Sequence, residues 1–160
     1  MLERIENVNE QVIKKMFLLY AESMADMEGK FKNRDEMEAS YAAFLKEFIE
    51  NPKQMVFVET VEKQWVCGLR AVESEPGKWF LEAVETMPRK RNRGYGKKLI
   101  RHVTEFLKGT GAQKIDCIIG KSNLSSIKMH SDCGFKETKE PPVNCWGELE
   151  EGRILFQLEI

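Results

Sequence analysis

Apolar positions along the first fifty residues follow a helical period. Val12, Met16, Tyr20 and Met24 recur every four residues, with Ile13 and Phe17 beside them. That stripe predicts one amphipathic helix. A short strand over residues 2–8 is expected before it. Residues 27–33 hold Gly29 and enough polar side chains for a loop. Asn33 with Glu36 three residues on predicts the start of a second helix. Met37, Tyr41, Phe44, Leu45, Phe48 and Ile49 form its buried stripe, and Asn51-Pro52 ends it.

From Gln54 the pattern changes to strands. Residues 55–61 and 65–72 flank a compact turn at Glu62-Lys63-Gln64. Glu75-Pro76-Gly77-Lys78 is a second turn. Residues 79–87 form a third strand. Tyr95, Leu99, Val103, Phe106 and Leu107 give the next helix its inner face, and Gly109-Thr110-Gly111 stops it. Residues 114–119 read as a buried strand and 124–133 as a helix. Residues 135–138 and 153–160 are the last two strands, joined by a loop with Pro141-Pro142. The order is that of a mixed α/β (α+β) domain with neither repeats nor a long linker.

The 160 residues suit one core. With 42% hydrophobic and 32% charged residues, the composition is that of a soluble globular protein. A formal net charge of −1 argues against nucleic-acid binding by overall charge. No apolar run approaches a membrane span and no signal-peptide pattern opens the chain, so a cytoplasmic protein is expected. Cys67, Cys117, Cys133 and Cys145 lack C-x-x-C spacing, so buried free thiols are expected. With His102 and His130 the only histidines, no metal site is expected.

The basic residues are concentrated in one place. Arg89, Lys90, Arg91, Arg93, Lys97, Lys98 and Arg101 occur with no acidic residue between Pro88 and Thr104. Inside this run Gly94 and Gly96 join the third strand to its helix. A helix start leaves N–H groups unpaired, and the helix dipole adds positive character there. Glycines let a ligand approach the main chain closely. The combination predicts a site for a polyanion with a diphosphate. A nonspecific nucleic-acid patch is the competing reading of the same cations, but it does not require the glycines.

The P-loop and dinucleotide fingerprints do not fit, since Leu99 stands where a third glycine belongs. The pattern Arg91-x-x-Gly94-x-Gly96 instead resembles the coenzyme A loop of the GNAT superfamily of N-acetyltransferases. Asn123, Ser126, His130, Gly134 and Phe135 fall in register with a second motif of that superfamily, in the right order. The resemblance covers residues 54–160; the first fifty match in helical character. It implies an acyl-CoA N-acyltransferase fold, with a central mixed, mostly antiparallel sheet flanked by helices. The strands ending near Met87 and Ile119 would splay to hold the pantetheine arm. One domain over 1–160 is implied, with 1–53 on the acceptor side and 54–160 forming the coenzyme core and C-terminal hairpin.

By the same resemblance, acetyl-CoA is the cosubstrate and an amine the acceptor, with no metal, in a monomer or homodimer. The coenzyme would contact Thr86, Met87, Arg91, Asn92, Arg93, Gly94, Tyr95, Gly96, Lys97, Asn123, Ser126 and Met129. A backbone N–H near Thr86 or Met87 would hold the carbonyl oxygen. His130 stands where many members have tyrosine, and would act as acid, as base or as a packed donor. Glu82 and Glu85 are the candidate bases; water or the substrate's own ionisation is the alternative. Three apart, the two face opposite sides of a regular strand, unless a bulge intervenes. Glu22, Asp26 and Glu28, with Trp146, suggest an acidic, aromatic acceptor wall for a cationic amine, or simply a solvated helix end. An acyl-CoA sensor without turnover is the other class of function.

Overall fold

Strand β4 (Lys78–Thr86) and strand β5 (Lys114–Gly120) run parallel at the centre of a seven-stranded sheet. The computed structural model describes residues 1–160. The other strands are β1 (Leu2–Arg4), β2 (Gln54–Val61), β3 (Gln64–Glu75), β6 (Lys136–Glu137) and β7 (Arg153–Glu159). The sheet order is β1-β2-β3-β4-β5-β7-β6, and every pairing except β4–β5 is antiparallel. The expected mixed, mostly antiparallel sheet is therefore present.

β4 and β5 pair only over Lys78–Phe80 and Lys114–Asp116. Beyond Phe80 they part, although β4 runs on to Thr86 and β5 to Gly120. The seam expected between the strands is thus open over more than half of β4. Its exposed backbone groups need partners from elsewhere.

Helices cover both faces. α1 (Glu10–Leu19), α2 (Ala21–Met27) and α3 (Arg34–Glu50) pack on one, around Met16, Phe17, Leu19, Leu45 and Phe48. α4 (Tyr95–Gly109) packs on the other through Leu99, Ile100, Val103 and Leu107, with α5 (Leu124–Asp132) beside it. The Asn33 cap is as expected, its side chain accepting from the Glu36 N–H at 2.8 Å. The first helix differs from the sequence reading. The stripe from Val12 to Met24 belongs to two helices that break at Tyr20 (φ −96°, ψ 29°). The period survives the break, because Tyr20 still donates to Met16 and accepts from Met24.

Buried Glu59 on β2 anchors α4. It accepts from Lys98 at 3.3 Å and pairs with His102 Nδ1 at 2.9 Å. Burial alone would raise its pKa; hydrogen bonds from the Met1 amino group, His102 and Lys98 outweigh that and hold it below the usual value. His102, half-exposed on α4, is thereby tied to the sheet. Cys67 and Cys117 are buried free thiols, whereas Cys133 and Cys145 are half-buried.

Candidate active site

The loop before α4 opens an anion site. Gly94 caps the helix in the left-handed region (φ +81°) and has no side chain to bond the first N–H groups. The Lys98 N–H returns to Gly94 O at 3.1 Å, which leaves those of Tyr95, Gly96 and Lys97 at the open end. A Cβ at Gly94 would meet nothing, so its glycine is required by conformation. Gly96 differs: a Cβ there would overlap the Met129 sulfur of α5. The sequence reading gave both glycines to ligand approach; at Gly96 the close neighbour is the protein itself.

The loop's cations are partly engaged. Arg91 donates from Nε to Thr86 O at 3.2 Å and pairs through its terminal nitrogen with Glu22 of α2. Lys97 reaches Asp132 of α5 at 3.1 Å. Asn92 is also left-handed (φ +62°).

β4 carries a bulge. Arg70 lies opposite Glu82 and Gly68 opposite Glu85, so two residues of β3 span three of β4. Ala83 absorbs the extra residue at φ +52°. Tyr20, at the α1–α2 break, donates its hydroxyl to Ala83 O at 2.9 Å. Gly68 makes room for that ring: a Cβ there would stand 2.8 Å from Leu19 Cδ2 and 2.9 Å from the Tyr20 oxygen.

The bulge turns Glu82 and Glu85 to the same face, towards α1–α3. Their environments differ. Glu82 is tied to Arg70 Nε at 2.9 Å. Glu85 accepts from Ser23 Oγ at 2.9 Å, with Arg91 4.0 Å away. Burial raises the Glu85 pKa, and Glu22 adds to the rise; Ser23 and Arg91 oppose it.

The end of β4 separates the two backbone donors named from sequence. The Met87 N–H bonds Val66 O at 2.8 Å and is committed to the sheet. Along a strand successive N–H groups alternate in direction, so that of Thr86 points into the open seam. Thr86 O, on the same side, accepts from Arg91.

On α5, Asn123 caps the helix, accepting from the Ser126 N–H at 3.2 Å. His130 is buried, with its ring edge-on to Phe135 at 5.4 Å. Its Nδ1 lies 2.8 Å from Ser126 O, so Nδ1 carries the proton, and Nε2 is buried without a partner. Burial lowers the His130 pKa, against that hydrogen bond. The ring is neutral and turned inward.

One cavity of about 1390 Å³ joins these parts. It exceeds the roughly 300–1,000 Å³ of a single small-molecule site, and so has room for two substrates. Glu85, Thr86, Arg91, Asn92, Gly94, Tyr95, Gly96, Lys97, Asn123, Ser126 and Met129 all line it. Glu82, Met87, Arg93 and His130 do not.

A profile of the Acetyltransferase (GNAT) family matches residues 19–135. The chain belongs to the GNAT family of acetyltransferases. Its fold is that of solved GNAT structures. The ribosomal-protein-alanine N-acetyltransferase of Brucella melitensis superposes with a TM-score of 0.72 at 17% identity, over 100% of this chain and 99% of that one. A PaiA N-acetyltransferase of Thermoplasma acidophilum, solved with coenzyme A, gives 0.71 at 12% identity, over 100% and 99%. The aminoglycoside N(6')-acetyltransferase type 1 of Serratia marcescens is 35% identical over 60 residues, 38% of this chain and 41% of that protein. The chain spans about two fifths of the length of the curated relatives it matches.

The end of this cavity nearest α2 and α3, where an acceptor was expected, departs from the sequence expectation. Glu22 lines it, but Asp26, Glu28 and the exposed Trp146 do not. The wall consists of Met24, Met27, Phe31, Met37, Tyr41 and Phe44, with Ser40, Ser23 and Arg70. Sequence reasoning missed Tyr20, Ser23 and Arg70. Arg70 left a trace: it is the single charge within the strand run 65–72. No helix is long and apolar enough to cross a membrane.

Proposed function

We propose that the protein transfers the acetyl group of acetyl-CoA to a primary amine of a small molecule or peptide, by direct attack with both substrates bound. The observation that carries the reading is the single cavity, with an anion-binding helix end and open seam on one side and Glu85 on the other. The chain's residues fit the coenzyme. The uncapped N–H groups of Tyr95, Gly96 and Lys97 suit a diphosphate. Asn123 and Ser126 border the same space, and the seam beyond Phe80 suits an extended arm. When bound, acetyl-CoA supplies the activated acyl group.

Three tasks then fall to the chain. The Thr86 N–H donates to the carbonyl oxygen as charge develops there. Glu85 takes the proton of the acceptor ammonium, directly or through water; its raised pKa suits it to that work. The two binding regions hold amine and carbonyl at attack distance. The amine forms the new C–N bond and the C–S bond breaks; the sulfur departs as thiolate and takes up the second proton, which the nitrogen sheds as it becomes an amide. A thiol ionises near pH 8.5, so it departs without a strong acid. His130, turned inward, is given no proton-transfer role.

Thermal shift with acetyl-CoA, coenzyme A and ATP tests the binding half. Saturable stabilisation of about 2.7 kcal/mol is expected at one hundred times the dissociation constant. Acetyl-CoA and coenzyme A should give it and ATP should not. Thiol release on adding amines tests the chemistry. Binding with no release for any amine would assign the chain to acyl-CoA sensing instead.

A further inference from the structure

Arg70 sits on β3 at the acceptor end of the cavity, and neither proton transfer nor coenzyme binding uses it. Only its Nε is engaged, on Glu82 at 2.9 Å. Its two terminal amino groups make no hydrogen bond within the protein. An arginine placed only to neutralise Glu82 would present its fork to that carboxylate. Here the fork is turned away from it. The guanidinium carbon lies 5.1 Å from the Phe44 ring centre and 5.8 Å from that of Phe48. Glu82 and the two rings fix the group before any ligand arrives, which preserves the donors' direction.

The surroundings narrow what those donors meet. Apart from Arg70, the serines, Glu85 and Glu22, which is paired with Arg91, the end wall is methionine and aromatic. Tyr41 borders it too; burial pushes its hydroxyl up to about 12, with Arg70 opposing, so the group remains a donor. Glu85 is on the same face of the sheet. It lies opposite Gly68, two residues from Arg70 along β3. Diagonal neighbours of this kind have Cα atoms roughly 7–8 Å apart. A small ligand carrying both an acid and an amine can therefore meet both side chains, with hydrogen bonds of about 2.9 Å.

We infer that the acceptor is an α-amino acid with an apolar side chain. Its carboxylate is held by the free fork of Arg70, its amine is presented to Glu85, and its side chain lies among Met24, Met27, Phe31 and Met37. Polyamines and aminoglycosides carry no carboxylate for Arg70 and leave its free donors unpaired. The inference rests on the acetyl-transfer reading above and names the substrate class of that site.

The test is thiol release by the full chain at saturating acetyl-CoA. L-phenylalanine and L-methionine are compared with phenylalaninamide, 2-phenylethylamine and spermidine. The free acids should exceed the amide and the amine in kcat/KM by at least about tenfold, the value of one charge-assisted hydrogen bond. Arg70→Gln should raise KM for the acids and erase that preference, and Arg70→Lys should restore part of it. The acetyl-CoA thermal shift of each variant reports whether it folds and binds coenzyme. Equal or better turnover of the amide, the amine or spermidine overturns the inference while leaving acetyl transfer standing. So does an acid preference that survives Arg70→Gln, or acetyl-CoA binding with no acid accepted. Failure to bind acetyl-CoA overturns both readings.

Discussion

Gly68→Ala is the sharpest probe of how the active strand is held. The new Cβ would stand 2.8 Å from Leu19 Cδ2 and 2.9 Å from the Tyr20 oxygen. Both neighbours are fully or nearly buried and cannot swing into solvent. Overpacking of this kind costs about 1–3 kcal/mol. Moving Tyr20 also loosens its hydrogen bond to Ala83 O, worth about 0.5–1.5 kcal/mol. Alanine recovers about 0.4–1 kcal/mol by restricting the unfolded chain. The balance is a loss of about 2 kcal/mol, which for a chain of this length is about 4–8 °C in Tm. Urea unfolding at pH 7 measures it. Gly29→Ala and Gly120→Ala are the controls; a Cβ at either meets nothing within 4 Å. A double-mutant cycle with Tyr20→Phe isolates the contact, because removing the oxygen should cost less once the added methyl group has displaced it. Turnover should fall further than acetyl-CoA affinity, since the bulge orients Glu85 while the helix end is untouched. A neutral or stabilising Gly68→Ala would refute the argument.

Three other outcomes follow from buried charges. The Glu85 pKa is raised in the folded state, so stability rises as pH falls through it and the ionised form costs stability at pH 7. Glu85→Gln should melt at the same or a higher temperature at pH 7 while turnover drops about 10²–10⁴-fold; unchanged turnover would remove Glu85 as base. Glu59 is the opposite case, its pKa held down. Its stabilisation is full above the unfolded value of about 4.3 and disappears as pH falls through the folded one. Glu59→Gln should therefore lose about 1–3 kcal/mol at pH 7, with the gap to the parent closing in acid unfolding curves. The lowered His130 pKa makes stability decline as pH drops below about 6.5, where the unfolded chain gains the proton first. His130→Asn should flatten that decline and leave kcat per folded molecule intact; a loss of 10²–10⁴-fold would restore His130 as an acid.

Much of the fold was legible because its signals are local. The Asn33 cap, the strand alternation and the glycines before α4 each act within a few residues. The strand order near the seam followed from the resemblance, and the short pairing at Lys78–Phe80 agrees with it. The misreadings share a cause: a side chain's direction was decided by a distant partner. Tyr20 fits a continuous helical stripe, yet its bond to Ala83, 63 positions away, accompanies a helix break. Gly96 is surrounded by cations in sequence and by Met129 in space. His130 is a different case: a packed donor was among its expected roles, and Ser126 and Phe135 direct its ring into the core. Asp26 and Glu28 lie near the cavity in sequence terms, but it is their apolar neighbours Met24, Met27 and Phe31 that face it.

The bulge at Ala83 explains why these long-range contacts matter to chemistry. In a regular strand Glu82 and Glu85 would face opposite sides, and one would project into the core beneath α4. The inserted residue brings both to the face covered by α1–α3, where the partners divide them. Arg70 ties Glu82 outside the cavity lining, and Ser23 holds Glu85 within it. A left-handed alanine costs about 1–2 kcal/mol, so something must hold it. The Tyr20 hydroxyl on its carbonyl is the contact that does so, in the space that Gly68 leaves. Ala83→Gly should relieve that strain and lessen the dependence on Tyr20. If the bulge were instead fixed by the β3–β4 pairing alone, Tyr20→Phe would be equally costly with alanine or glycine at position 83.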